Sequence, residues 1–145
     1  MLGERCQVTI KLDDKGRIAL PARLRRKLKE AGKNELVLTY FGEGIRGYLP
    51  EYFSEHIEGQ FQSRDPFAAE TLDLQVVFLG GTEDCSIDGQ GRVRIPAPLR
   101  EEAGLDGDCV LISALDWIDI WPLERWRERR RLAIEARKRR YSDGA

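Results

Sequence analysis

The sequence predicts an α+β fold of two tandem β-turn-β-helix repeats, related by a pseudo-twofold axis, with a further helix at the C-terminus. The first observation is an internal repeat, because residues 13–25 return as residues 88–100. Both copies read Asp-x-x-Gly-Arg, then apolar-x-apolar-Pro-Ala-x-Leu-Arg. The second observation is the alternation of apolar and polar residues around each copy, which indicates half-buried strands. A unit of about forty residues buries too little apolar surface to fold alone, so the copies must share one core.

Four segments follow from this repeat. We expect a first repeat over residues 5–51, a helical connector over 52–81, a second repeat over 82–125, and a basic C-terminal helix and tail over 126–145.

The first repeat carries the clearer local signals. Its pattern predicts a strand, a turn, a strand, a helix and two strands over residues 6–12, 13–16, 18–20, 21–31, 35–41 and 47–49. Pro21 fits the first helical position, where a missing N–H costs nothing. Gly32 is a residue type that ends helices.

The connector is predicted to contain two helices. The first starts at Pro50 and carries an apolar stripe at a spacing of four, formed by Phe53, Ile57 and Phe61. Asp65 and Pro66 are expected to cap the second. Its expected inward side chains are Phe67, Leu72, Val76 and Leu79.

The second repeat follows the same order. Strands are predicted over residues 85–87, 93–95, 109–112 and 118–121, with a helix over 96–103 that stops at Gly104. A last helix begins at Pro122, and the tail beyond Ala136 is expected to fray. Trp117, Trp121 and Trp126 are interpreted as core or interface residues.

The composition is typical of a globular protein kept in a reducing compartment. Of the 145 residues, 41% are hydrophobic and 34% charged, and no apolar run is long enough to span a membrane. The first residues lack a secretory signal pattern, so a cytoplasmic location without membrane contact is expected. Cys6, Cys85 and Cys109 are interpreted as buried thiols rather than a disulfide framework or zinc site.

Charge is segregated along the chain although the net charge is only −1. Residues 1–33 contain ten Lys or Arg and four Asp or Glu, and residues 125–145 contain nine and three. Residues 34–124, between these two segments, contain five Lys or Arg and eighteen Asp or Glu. A segregated basic face can bind phosphates while the whole molecule stays near neutral.

The turn of the first repeat is the main candidate for binding. Arg17 follows it directly and Lys15 lies at its tip, so the turn can reach phosphates or the edge of a guanine. An ion pair between Asp13 and Arg17 that only stabilises the turn is an equally good interpretation of these residues. Further basic residues nearby favour a nucleic-acid backbone, namely Arg5, Lys11, Arg23, Arg25, Arg26 and Lys27.

The turn of the second repeat is a weaker candidate. Gln90 replaces the lysine at its tip, and its flanks are acidic. Arg92 and Arg94 can join a contact surface, but a supporting role for this copy is favoured. The motif residues expected to shape the two turns are Asp13, Gly16, Asp88 and Gly91.

Catalysis has little support in the sequence. His56 is the only histidine, and no nucleophile–base signature surrounds it. Phosphate-binding and dinucleotide fingerprints are missing, and no acidic cluster has the spacing of a metal site. We therefore expect no enzyme activity, no metal and no cofactor.

The residues carry a clear resemblance to the bacterial MraZ family between Gly3 and Trp126. The resemblance rests on Leu12, Asp13, Lys15-Gly16-Arg17, Pro21-Ala22, Tyr48-Leu49-Pro50, Leu79-Gly80, Glu83, Asp88, Gln90-Gly91-Arg92, Ile95-Pro96, Leu99-Arg100, Ala103-Gly104-Leu105 and Ile120-Trp121. The arginine-rich tail after Trp126 is not part of this pattern.

This resemblance implies a fold and a function. The fold is two tandem swapped-hairpin domains of the AbrB/SpoVT type. The implied function is repression of the division and cell-wall gene cluster by a nucleoid-associated protein. Such a protein binds direct repeats in double-stranded DNA upstream of its own operon, as a ring-shaped homo-oligomer. Its DNA-contacting loop corresponds to Lys15 and Arg17, with Arg92 as the matching residue of the second copy. Together with the neighbouring cations, the expected DNA-binding set is Lys11, Lys15, Arg17, Arg23, Arg92 and Arg94. The alternative is an AbrB-like, antitoxin-like interaction module without specific DNA binding.

Overall fold

The chain forms one six-stranded antiparallel sheet, a separate two-stranded ribbon and helices around them. The computed structural model describes residues 5–114 and 116–142. The strands are β1 Cys6–Lys11, β2 Arg17–Ala19, β3 Glu35–Tyr40, β4 Ile45–Tyr48, β5 Glu83–Ser86, β6 Arg92–Arg94, β7 Asp108–Ala114 and β8 Trp117–Pro122. The helices are α1 Ala22–Glu30, α2 over residues 50–62, α3 over residues 69–79, α4 Ala97–Ala103 and α5 Leu123–Ser142.

The strand order confirms the predicted two-repeat fold. The large sheet runs β1-β7-β8-β4-β3-β5, and the ribbon pairs β2 with β6. Strands β1–β4 belong to the first repeat, and β5–β8 are their counterparts in the second. Replacing every strand of the large sheet by its counterpart gives the same strand order, read from the opposite edge. Both outer strands pair with the other repeat, so neither repeat has a complete sheet of its own.

The main core lies between the sheet, the ribbon and the helices of the two motifs. Equivalent residues of the two repeats lie in this core in pairs, such as Ile18 with Val93 and Leu24 with Leu99. Each of these four residues is no more than 3% exposed. A second, aromatic cluster of Tyr48, Phe53 and neighbouring side chains packs the connector against the sheet. The shared core is the physical reason that the two repeats fold as one unit.

The prediction for α3 is wrong in its buried face and in its cap. Phe67, Leu72 and Val76 are 94%, 58% and 65% exposed, and only Leu79 of the predicted inward set packs against the aromatic cluster. The helix widens to π-type turns over Gln75–Leu79, which rotates side chains away from the face that a 3.6-residue period predicts.

The predicted cap at Asp65 also differs from the structure. Asp65 accepts a hydrogen bond from the Phe67 backbone N–H at 3.0 Å, whereas the helix begins at Ala69 with Ala68 before it. Asp65 therefore holds the preceding turn.

The last helix is longer than expected, because α5 continues to Ser142 instead of fraying after Ala136. Side chains one turn apart stabilise it: Arg127 pairs with Glu124 at 2.6 Å, and Arg131 pairs with Glu128 and Glu135 at 2.6 and 2.9 Å. In the described ranges, no helix is both long and apolar enough to cross a bilayer.

Candidate nucleic-acid interface

The turn of the first repeat is organised by the carboxylate of Asp13. Its Oδ1 accepts backbone hydrogen bonds from Lys15 at 2.9 Å and from Arg17 at 2.8 Å. Its Oδ2 accepts a hydrogen bond from Nε of Arg17 at 2.8 Å. The predicted ion pair therefore exists. It uses only one nitrogen of the guanidinium, and both terminal nitrogens are without a hydrogen-bond partner among the described residues.

The turn of the second repeat has the same geometry. Asp88 Oδ1 accepts backbone hydrogen bonds from Gln90 and Arg92, both at 2.9 Å. Nε of Arg92 donates to Oδ2 at 3.0 Å. The side chains of Arg17 and Arg92 are 24% and 31% exposed. The aspartate of the repeated motif thus has the same role in both copies, because its side chain stabilises its own turn.

Both turn carboxylates stay ionised at neutral pH. The pKa of Asp13 lies below its usual value, chiefly because it accepts the backbone N–H of Arg17. The pKa of Asp88 is lowered in the same way by the backbone N–H of Arg92. The arginines therefore face a permanent negative charge that orients them.

The β2–β6 ribbon gathers arginines from both repeats on one face. Arg17 lies opposite Arg94, and Ala19 lies opposite Arg92. Ile18 and Val93, between them, are buried, so alternation turns the three arginines to the other face. Like charges directly opposite each other, such as Arg17 and Arg94, destabilise a strand pair. A bound anion would reduce this repulsion and stabilise the ribbon. An antiparallel ribbon also has the size that the major groove of DNA admits.

Each turn is also supported by an arginine of the other repeat. Arg25 of α1 donates to the Gln90 carbonyl at 2.9 Å and packs against Gly91. Arg100 of α4 packs its guanidinium over Gly16. Its Nε is buried and has no hydrogen-bond partner in the part of the chain that the structure describes. This crossed support follows from the pseudo-twofold axis.

The remaining predicted cations surround this face less tightly. Lys15 is exposed at the tip of the first turn, and Arg23 is exposed in the first turn of α1. Lys11 ends β1 and has a long contact of 4.0 Å with Asp108, with its side chain 76% exposed. The structure thus brings Arg17, Arg92 and Arg94 together directly and leaves the other three around them.

Sequence reasoning missed the roles of Arg25 and Arg100. From the sequence, Arg25 is only one of several nearby positive charges, and Arg100 is only part of the repeated motif. The signal was the recurrence of Leu-Arg at the same distance from both turns. That recurrence could mark the two residues as equivalent, but it could not show that each crosses to the opposite turn.

Two of the three cysteines are buried and not activated as nucleophiles, and the histidine lies on helix α2. Burial raises the pKa of the Cys85 and Cys109 thiols to about 11, so both are protonated at neutral pH. The ring of His56 is tilted against that of Tyr52, with centroids 4.5 Å apart, and its Nε2 lies 3.8 Å from a carboxylate oxygen of Glu55. In residues 5–114 and 116–142, no group of three or more His, Cys, Asp or Glu side chains could hold a metal ion.

Gly16 is expected to be required for the first turn. Its φ of +76° disfavours side chains, and a Cβ there would lie 2.6 Å from Cζ of Arg100. Gly16→Ala should therefore lower stability by about 1–2 kcal/mol. It should also displace Arg100 and disturb the turn, which is expected to lower the affinity for DNA that the sequence predicts. Thermal denaturation and fluorescence anisotropy measure the two effects.

Gly32→Ala is the matched control. Its φ is +68°, but a Cβ there would meet nothing within 4 Å. It should carry the same backbone cost and leave binding unchanged. Equal losses of DNA affinity in the two variants would contradict a role for the Arg100 contact.

Two interleaved repeats with paired Asp-x-x-x-Arg turns define a tandem swapped-hairpin protein. The comparisons with known proteins make this assignment more specific. Residues 5–74 and 78–139 match the sequence model of the family described as "MraZ protein, putative antitoxin-like". The match extends to residue 139, past Trp126, where the resemblance was expected to end.

Named relatives agree with this match. The chain is 36% identical over 117 residues to the "Transcriptional regulator MraZ" of Thioalkalivibrio sulfidiphilus, which covers 81% of this chain and 78% of the relative. It is 38% identical over 115 residues to the protein of the same name from Lachnoclostridium phytofermentans, covering 79% and 78%. For that of Micrococcus luteus the identity is 39% over 118 residues, covering 81% and 80%. The chain belongs to the MraZ family.

Proposed function

We propose that this protein is a sequence-specific DNA-binding transcriptional regulator. The observation that carries the proposal is the β2–β6 ribbon, which presents Arg17, Arg92 and Arg94 on one face. Arginine pairs bidentately with guanine in the major groove, and the Asp13 ion pair leaves the terminal nitrogens of Arg17 for that contact. The relatives named transcriptional regulators support the same function.

The finer proposal follows the family resemblance. The protein represses the division and cell-wall gene cluster from the nucleoid, and it binds short direct repeats upstream of its own operon as a ring-shaped homo-oligomer. Four large apolar side chains are exposed within residues 67–77, on and before α3, and such a concentration of exposed apolar side chains supports assembly. They are Phe67, Leu72, Val76 and Val77.

Assembly gives this regulator its affinity. One ribbon makes few base contacts, so a single subunit should bind weakly. Several subunits held together engage regularly spaced repeats at a high effective concentration, which raises affinity without any new contact.

Fluorescence anisotropy over a salt series tests the function. The probes are a duplex of tandem repeats from upstream of the gene and a scrambled duplex of the same length. We expect tighter binding to the repeats, a need for at least two of them, and loss of affinity as salt rises. Equal weak binding to both duplexes would contradict sequence-specific regulation.

The second candidate is an antitoxin-like interaction module, which the description of the matched family favours. A protein partner retained through residues 127–145, together with no DNA binding at low salt, would support it over the regulator.

A further inference from the structure

Helix α5 carries a face of arginines that the ribbon does not explain. We propose that this face is a second DNA-binding surface, which clamps the phosphate backbone of the duplex held by the ribbon. The arginine face is formed by Arg129, Arg130, Arg137 and Arg140. The inference rests on the proposed DNA-binding function and adds a contact that carries no sequence information.

The carboxylates of the helix lie on the side away from these four arginines. At about 100° per residue, the four arginines fall within an arc of about 100°, shared only with Trp126 and Ala133. The acidic residues Glu124, Glu128 and Glu135 fall within an arc of about 40° on the opposite side. The other basic residues of the helix lie outside this arc: Arg125, Arg127, Arg131, Lys138 and Arg139. What distinguishes the face is that its four arginines lie on the side away from every carboxylate of the helix.

The carboxylates are used by other arginines. Arg127 and Arg131 take all three glutamates of the helix, and Arg125 reaches Glu43 at 3.3 Å. None of the four face arginines has a carboxylate partner in residues 5–114 and 116–142. Arg137 donates only to the hydroxyl of Tyr141, at 3.0 Å. The face is therefore a row of uncompensated charges.

The exposure of the helix fits an external partner. None of the twenty residues of α5 is buried, so packing against the rest of the chain holds it in place only near its start. Adjacent like charges on one face repel one another. An anionic partner removes that repulsion, whereas a neutral protein surface does not.

The size of the face fits a nucleic-acid backbone. Arg129 and Arg140 are eleven positions apart, which is about 16 Å along the helix axis. One DNA strand presents a phosphate about every 3.4 Å along its axis. The face can thus span several successive phosphates, which a single phosphorylated side chain does not offer.

The sheet register places the helix near the first turn. Ile10 pairs with Cys109, and Cys109 pairs with Pro122, the residue before α5. Ile10 and Pro122 are therefore two strand spacings apart in the sheet, which is about 10 Å. Leu12, on the way into the turn, donates to the Gly107 carbonyl at 2.9 Å. The helix and the first turn therefore begin at the same end of the sheet, where one duplex can meet both.

Two double variants of the full chain test the proposal with equal change in charge. Arg129→Gln with Arg140→Gln removes two arginines of the face. Arg127→Gln with Arg131→Gln removes two arginines from the same helix that are already paired with glutamate. Circular dichroism establishes that α5 is retained in both. Anisotropy is measured on the repeat and scrambled duplexes over a salt series.

The first variant should lose affinity equally on both duplexes. The slope of log K against log salt should become shallower by about 1.8 for each subunit in contact. The ratio of wild-type to variant affinity should therefore shrink about tenfold between 50 and 200 mM salt. The paired-arginine variant should stay close to the wild type. Equal slopes in the two double variants would overturn the proposal, because net charge alone would then account for the effect.

The two proposals fail in different ways. If the wild type does not prefer the repeats, the proposed function fails, while the loss on the scrambled duplex still reports on the arginine face. If the preference is present but the face variant binds like the wild type, only the clamp is overturned. Binding of wild-type protein to anionic vesicles but to neither duplex would assign the face to a membrane surface and overturn both.

Discussion

Arg17→Ala should lower affinity for the operator repeats by at least about a hundredfold, since a bidentate arginine contact contributes about 1–3 kcal/mol and several subunits lose it together. Fold and assembly should persist, because Asp13 still accepts the backbone N–H groups of Lys15 and of residue 17. The measurements are anisotropy on repeat and scrambled duplexes, thermal denaturation and analytical ultracentrifugation.

Arg92→Ala is the matched control for this prediction. It removes the equivalent ion pair from the same turn geometry, at 3.0 Å instead of 2.8 Å. Because Gln90 replaces the lysine at the tip, we expect a smaller loss of binding. A variant at Arg17 that melts early or loses its oligomer would show that Arg17 is structural.

Val76→Glu should break the proposed oligomer and lower the avidity for tandem repeats. The side chain is 65% exposed on α3, one helical turn from Leu72, and a buried charge in a subunit contact is expensive unless it is paired. Affinity for tandem repeats should fall by about 10²–10⁴, while the weak affinity for a single repeat should stay the same. Analytical ultracentrifugation measures the assembly, and anisotropy measures the two affinities.

The adjacent position supplies the control for assembly. Gln75→Glu adds the same charge next to Val76 at an exposed polar residue, and should leave both the oligomer and the avidity intact. An intact ring in Val76→Glu would exclude this apolar surface from the subunit contact. A broken ring with unchanged affinity for tandem repeats would contradict the role of avidity.

Local rules succeeded where neighbours in sequence are neighbours in space. The repeat, the Asp13 and Asp88 turns, and the strands and helices of the two motifs could be predicted, because alternation, turn residues and Pro-start signals act over a few positions. The buried face of α3 could not, since its π-type turns change the period on which such a prediction depends. Phe67 is exposed because it lies in the turn before the helix, which begins only at Ala69.

The sequence by itself determined that two equivalent units share one core, and that each carries a tight turn with an arginine directly after it. The structure decided that each arginine is held by the aspartate of its own turn. The tertiary structure alone decided which residues of the two repeats meet. It set Arg17 opposite Arg94, and it placed Arg100 over Gly16 and Arg25 against Gly91. These contacts join residues 66 to 84 positions apart in the chain. Their formation depends on how the two repeats dock around the pseudo-twofold axis, which no local pattern encodes.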